Sequence, residues 1–324
     1  DYVAYLAGRQ TLTEAEMDEI RLQQYRFDVQ WSELKQYAND RGVKIIGDLP
    51  AFVSADSADI WANPEVFAGS GEGASKSRCH AGVPPDYFSP EGQEWGTPLY
   101  DWKYLKESGY GWWVRRLRQC SRRYDYVRMD HFRSFSEYYA ITEGGTPKEG
   151  TWQKGPGLEF FEAVKDNLGG PYGIKIIAED LGTLDSSVYS LLRLTGLPGM
   201  NVWQFSADEI REMTEETIER RILYTGTHDN RTLLGWCRDR GEDVGDALAV
   251  IRELYESRAP WVLLQLQDVF MMGDEARMNV PGEPEGNWTW RIEGDSIEDG
   301  VPHAREIAKA YRRLAEETGR FRAE

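Results

Sequence analysis

The chain has 324 residues, enough for one large domain or two ordinary ones. Its 40% apolar and 12% aromatic content suits a globular protein with a sizeable core, and its charged residues leave a formal net charge of -17. So acidic a chain lacks the basic footprint that nucleic acid or an anionic membrane surface requires, and it fits a neutral substrate.

The first ten residues, Asp1 to Gln10, show neither the basic region nor the apolar stretch of a signal peptide. No apolar run along the chain approaches the roughly 18–20 residues of a membrane span. Cys79, Cys120 and Cys237 lie far apart with no Cys-x-x-Cys pair, so reduced cysteines in a cytoplasm are expected, without disulfide or zinc.

Residues 13–41 read as a helix, with Thr13 and Glu16 set for a capping box and Gly42 as a stop. A β-branched run, 43–48, follows and ends on Asp48. The same unit recurs. Helices are expected near 103–123, 158–168, 186–195, 207–220 and 242–257. They lead to strands at 126–130, 174–179, 199–205, 221–229 and 261–267, and a closing helix falls near 303–318. Six strands alternating with helices imply parallel βαβ units, either an open doubly wound sheet or a (β/α) barrel. Three observations favour the barrel. No Gly-x-Gly-x-x-Gly follows a strand, polar residues end several strands, and the loop at about 49–102 is long enough to be functional. Gly69–Ser75 reads as a flexible loop tip. Six strands do not close an eight-stranded barrel. Either two strands escape the pattern or the first two are missing, and the second reading is preferred because residues 1–41 hold no good strand.

Three carboxylates, Asp130, Glu179 and Asp229, are expected at strand ends about fifty residues apart, which in a barrel places them at one mouth. Cleavage of a glycosidic bond needs one ionised and one protonated carboxyl group. Arg128, two residues before Asp130 on a strand, points the same way and should keep Asp130 ionised. Glu179 follows Ile176, Ile177 and Ala178, a less polar setting that should raise its pKa. Asp229, between His228 and Asn230, could grip sugar hydroxyls. Taken singly, each has a plainer reading. An Asp after a strand is more often a turn or cap residue, and Arg128 with Asp130 could be a structural ion pair. His80 and His303 read as ordinary surface residues.

Longer segments then become recognisable. Ile45-Ile46-Gly47-Asp48-Leu49-Pro50 with Asp56–Pro64 resembles the amylomaltase (disproportionating enzyme) family of 4-α-glucanotransferases, in the α-amylase superfamily. So do Gly82–Ser89 with Gly92–Gly96, Val127–Arg133, Ile177–Gly182, Thr227–Asn230 and Ala276–Gly282. The resemblance implies an α/β fold, a (β/α)8 TIM-type barrel, with residues 1–324 one catalytic domain covering roughly strands 3–8. It implies Asp130 as nucleophile, Glu179 as general acid and base, and Asp229 as a transition-state stabiliser. Arg128, His131, His228 and Asn279 match positions around the donor glucose, Asp48 matches the substrate-binding carboxylate of the family's third strand, and Tyr87, Phe88, Gln93 and Trp95 match a loop over the cleft. Met129, in place of a branched residue, and Ser134, in place of Gly, are minor departures. The expected activity is retaining transfer of α-1,4-glucan segments between maltooligosaccharides or starch and acceptor sugars such as glucose, with no organic cofactor and no metal. The loop 82–100 and its neighbour Trp102 offer Tyr87, Phe88, Trp95, Tyr100 and Trp102 as aromatic faces for sugars, against the plainer reading of a packed surface lid. The rival readings are a hydrolase of the same superfamily, an inactive glucan-binding scaffold and, more distantly, a metal or nucleotide enzyme.

Overall fold

Thr13 starts the first helix for a local reason. Its hydroxyl accepts from the Glu16 N–H, and the Glu16 carboxylate accepts from the Thr13 N–H in return, closing a capping box. The structure, a computed structural model, describes residues 13–68, 79–85, 89–168, 175–283, 285–294 and 296–321. The chain divides into two compact units, Asp1–Leu197 and Pro198–Glu324.

The first unit holds helix α1 (Glu14–Asn39) and a parallel sheet of strands β1 (Ile46–Leu49), β4 (Tyr126–Met129) and β7 (Lys175–Ala178), in the order β1-β4-β7. These fall on the first three expected barrel strands: β1 starts later than expected and runs one residue further, and β4 and β7 each stop one residue short. Helix α4 (Gly111–Arg123) leads into β4, and α1 docks on its end. The Trp31 indole donates to the Arg123 carbonyl at 2.9 Å, and the Lys35 ammonium donates to Arg122 and Tyr124 carbonyls, a cation placed at a helix C-terminus. The core between sheet and helices is aromatic. Trp113, Phe132, Phe135, Phe160 and Phe161 are fully buried, with Met129 among them, and each such ring contributes about 1.5–3 kcal/mol through removal from water.

The expected long loop after β1 is not structureless. It supplies α2 (Ala58–Ala62), β2 (Cys79–Val83) and β3 (Gln93–Pro98). With β5 (Glu137–Thr142) and β6 (Thr151–Lys154) these strands form an antiparallel sheet in the order β3-β2-β5-β6. The expected helix near 103–123 is two helices, α3 (Trp102–Glu107) and α4, because the chain turns at Gly109 (φ +64°) and Tyr110 (φ +55°). Helices α5 (Leu158–Leu168) and α6 (Ser186–Thr195) fall where expected.

The second unit holds a parallel sheet of β8 (Gly199–Val202), β9 (Arg221–Tyr224) and β10 (Trp261–Leu263), in the order β10-β9-β8. Helix α7 (Trp203–Glu212) and the short α8 (Glu215–Ile218) lie between β8 and β9, and α9 (Leu233–Asp239) and α10 (Val244–Glu256) between β9 and β10. After β10 come α11 (Leu266–Val269), α12 (Ile297–Gly300) and the closing α13 (Ala304–Glu317). Its core is Trp203, Leu223, Leu233, Cys237, Ile251 and Leu254. The strands here are shorter than expected, since β8 turns directly into α7 at Trp203 and β9 stops at Tyr224.

The three cysteines carry no disulfide. Among the described residues no helix is long and apolar enough to cross a membrane. Gly69–Ser75, read above as a loop tip, lies outside the described residues.

Candidate active site

Within the first unit, the parallel register sets Asp48 of β1 directly across from Arg128 of β4. The guanidinium forks onto the carboxylate, Nε donating to Oδ1 at 2.9 Å and Nη2 to Oδ2 at 2.7 Å. The same Nη2 donates to Asp130 Oδ1 at 3.3 Å. The expected Arg128–Asp130 contact therefore exists, but Asp48 is the closer, two-point partner. Burial opposes the charge on Arg128, yet Asp48, Asp130 and Glu179 together hold its pKa above the ordinary value.

Asp130 and Glu179 each stand one residue beyond a strand. Met129 pairs with Ala178, and the next residues leave adjacent strands side by side, where strand spacing is about 4.8 Å. The Glu179 N–H donates to the Met129 carbonyl at 3.0 Å. Glu179 is 9% exposed, Asp130 far more open. Burial first, then the charge of Asp130, pushes the Glu179 carboxyl up to about 8. Arg128 and the N–H groups of Leu181 and His131 pull the other way and lose. The two N–H bonds are 2.9 Å to Oε1 and 2.7 Å to Oε2.

His131 presents that N–H because its backbone is left-handed (φ +44°), a conformation uncommon outside glycine. Its ring packs edge-on against Trp95 at 5.0 Å and near Phe52 at 6.5 Å. Burial, then Arg133, depress the His131 pKa to about 4, so the ring is neutral at pH 7. Its Nε2 is buried without a hydrogen-bond partner. Gln93 accepts from the indole of Trp95, the ring that packs on His131, at 3.2 Å. Tyr87 and Phe88 lie outside the described residues.

One aromatic residue offered as a sugar face is a core residue instead. Tyr100 is buried, its hydroxyl donating to the Ala51 carbonyl at 2.9 Å. Trp102 is partly buried and packs on Tyr100, Trp113 and Phe160.

Within the second unit, Asp229 does not end a strand. It sits in a loop five residues past Tyr224, the last residue of β9. Asn279 donates to its Oδ1 at 2.6 Å, His228 Nε2 lies 3.1 Å from its Oδ2, and Arg277 donates to its carbonyl at 2.8 Å. Of the expected cluster of His228, Asp229 and Asn230, only His228 stands at the Asp229 carboxylate, and Asn279 takes the other place. Asn230 turns away, buried, to accept from the N–H and hydroxyl of Thr227 at 2.8 and 2.9 Å. It shapes the loop rather than offering itself to a sugar. Trp288, which the sequence reading passed over, is 53% exposed with its ring 5.1 Å from His228 and a left-handed backbone (φ +61°). Asp268 was passed over too. It is fully buried, and burial lifts its carboxyl to about 6 against the hydrogen bonds it accepts. Neither residue carries a sequence signal beyond its type, because one tryptophan or one aspartate past a strand is commonplace.

The arrangement in the first unit can hold one carboxyl group protonated beside another that pairs with a buried arginine. Among the described residues no group of three or more His, Cys, Asp or Glu side chains could hold a metal ion.

The chain matches, over residues 4–296, the family described as 4-alpha-glucanotransferase. It is 40% identical to a 4-alpha-glucanotransferase of Streptococcus pneumoniae over 316 residues, 91% of this chain and 62% of that protein. A 4-alpha-glucanotransferase of Thermus thermophilus is likewise 40% identical over 319 residues, 90% of this chain and 62% of the relative. The chain thus spans about 62% of the length of these curated relatives. Among solved structures, amylomaltase from Streptococcus agalactiae in complex with acarbose is similar with a TM-score of 0.81 at 36% identity, covering 93% of this chain and 62% of that one. An α-amylase from Lactobacillus plantarum, 12% identical with a TM-score of 0.51 over 89% of this chain and 62% of its own, shares the fold alone. The fold class is that of the (β/α)8 barrel, this chain carrying roughly strands 3–8.

Proposed function

The chain belongs to the 4-alpha-glucanotransferase family, and from that membership we propose that the protein transfers α-1,4-glucan segments from a maltooligosaccharide or starch donor to an acceptor sugar such as glucose. The reaction is a retaining double displacement carried by residues 1–324 as one catalytic domain. The observation that carries the reading is the paired carboxyl groups of Asp130 and Glu179, one beside Arg128 and the other buried and raised to about 8.

Glu179 gives its proton to the glycosidic oxygen as a carboxylate oxygen of Asp130 attacks the anomeric carbon. The bond to the leaving glucan breaks and an ester to Asp130 forms. Glu179, now ionised, takes a proton from an acceptor hydroxyl, which attacks the same carbon and expels Asp130. Asp229, steadied by Asn279 and His228, binds ring hydroxyls of the glucose being transferred. Asp48 fixes Arg128, His131 stands on the donor side, and Gln93 and Trp95 belong to the loop that leans over the cleft. The family pattern also assigns Tyr87 and Phe88 to substrate. The step needs no organic cofactor and no metal ion in this reading. Nucleic acid and membrane play no part in it, and a reducing cytoplasm suits its three free cysteines.

The test is to incubate the intact protein with maltotriose and resolve the products by size. Glucose together with a ladder of longer maltooligosaccharides is expected. Glucose and maltose alone would mean hydrolysis and overturn the reading.

A further inference from the structure

Asp229 owes its position to a loop that leaves β9 at Thr225 and enters α9 at Leu233. Both ends of that loop reach one buried side chain. The Thr225 hydroxyl donates to Asp268 Oδ2 at 2.6 Å, and the Leu233 N–H donates to Asp268 Oδ1 at 2.7 Å. Asp268, Thr225 and Leu233 are all 0% exposed. We propose that Asp268 is a positioning residue, a clasp that closes the base of the 225–233 loop and so holds the Asp229 carboxylate in register for sugar. The proposal rests on the reading of Asp229 given above.

Burying a carboxylate is costly, and the cost is tolerable only when its oxygens are well supplied with donors. Here one side chain satisfies two donors eight positions apart, which a single-acceptor or apolar residue cannot do. The neighbouring groups tighten the same base. The Gln204 amide donates to the carbonyls of Thr225 (3.3 Å) and Arg231 (2.9 Å), and Gln265 donates to the Arg231 carbonyl at 3.2 Å. A methyl group on Gly226 would come within 2.4 Å of the Gln265 amide and 3.0 Å of the Gln204 amide, so both side chains lie close over the backbone there. Above this base, the Asp229 N–H donates to the Thr227 hydroxyl at 3.3 Å and its carboxylate meets Asn279. Opening the clasp would release Thr225 and Leu233 and leave a buried N–H without a partner. Asp229 would then drift relative to Asn279 while the core below stays packed.

The experiment measures kcat and KM for transfer from maltotriose, per folded molecule, in the intact protein. Asp268→Ala should lower kcat by about 10- to 100-fold, the scale of a small misplacement of a reacting-site group. Asp268→Asn, which keeps an acceptor for Leu233 and an amide facing Thr225, should stay within about fivefold, one weakened hydrogen bond's worth. Asp268→Ala added to Asp229→Asn should cost no more than Asp229→Asn alone. Thr225→Val keeps the shape and removes one arm of the clasp. It should lower kcat by a smaller factor, and it decides the question if Asp268→Ala does not fold. Wild-type kcat in Asp268→Ala or Thr225→Val, with only a lower unfolding midpoint, would make Asp268 a structural residue and overturn the proposal. Wild-type kcat in Asp229→Asn would instead sink the role of Asp229 itself, and the positioning role with it.

Discussion

Two carboxyl groups of the same chemistry are driven apart by their surroundings. Asp130 stands open beside a buried arginine, and Glu179 is buried against it. The first consequence concerns Asp130→Asn. Removing the attacking carboxylate should lower transfer by on the order of 10^4-fold, the scale seen when one member of a nucleophilic set is lost, with circular dichroism unchanged. Turnover within tenfold of wild type would take the nucleophile role from Asp130. The second consequence concerns pH. A general acid must carry its proton in the free enzyme, and the raised pKa keeps that proton on Glu179 through neutrality. The proton is lost as pH rises through about 8. The profile of kcat/KM should therefore fall on its alkaline side near pH 8. An alkaline limb already complete by pH 6 would show that Glu179 titrates as an ordinary carboxyl group and does not act as the acid. The contrast in surroundings between Asp130 and Glu179 was legible from Arg128 and from the apolar run before Glu179. The left-handed His131, whose main chain rather than ring reaches Glu179, was not legible, because backbone sign is invisible in residue type.

At the scale of elements, Gly47 shows how strand and helix fix Asp48. A Cβ at Gly47 would lie 2.2 Å from the ring of Tyr124, which ends helix α4, so the strand approaches the helix more closely than any side chain permits. Gly47→Ala should cost about 1–3 kcal/mol in denaturant unfolding, the range for overpacking a filled site. It should also weaken transfer through displacement of Asp48 and with it Arg128. A stability change under about 0.5 kcal/mol, the scatter of ordinary surface substitutions, would show that the ring yields freely. Six barrel strands were readable because each is a short apolar run after a helix. The antiparallel sheet was not. Its strands carry Gly82, Gly96 and Pro98, and Ala81 pairs with Ala140 across a long stretch of chain, so no local pattern announces the pairing. Tyr100 and Trp102 misled for a related reason. Aromatic residues in a long loop suit a sugar platform or a core equally, and here the core took Tyr100 while Trp102 packs partly buried against it.

For the whole molecule, the decisive quantity is a net charge of -17 against a substrate that carries none. Surface charge steers a ligand only if the ligand is charged, and salt screens that steering within a Debye length of about 10 Å at 0.1 M. The groups proposed to meet sugar already bond one another. Arg128 is matched by Asp48 and Asp130, and Asp229 by Asn279 and His228. The KM for maltotriose should thus change by less than about twofold between roughly 0.05 and 0.5 M sodium chloride, while a phosphorylated sugar should be a poor acceptor because the acidic chain repels it. A KM that rises steeply with salt would mean that the preferred ligand is charged. The neutral-glucan reading would then give way to one in which an anion or cation on the substrate does the recognising.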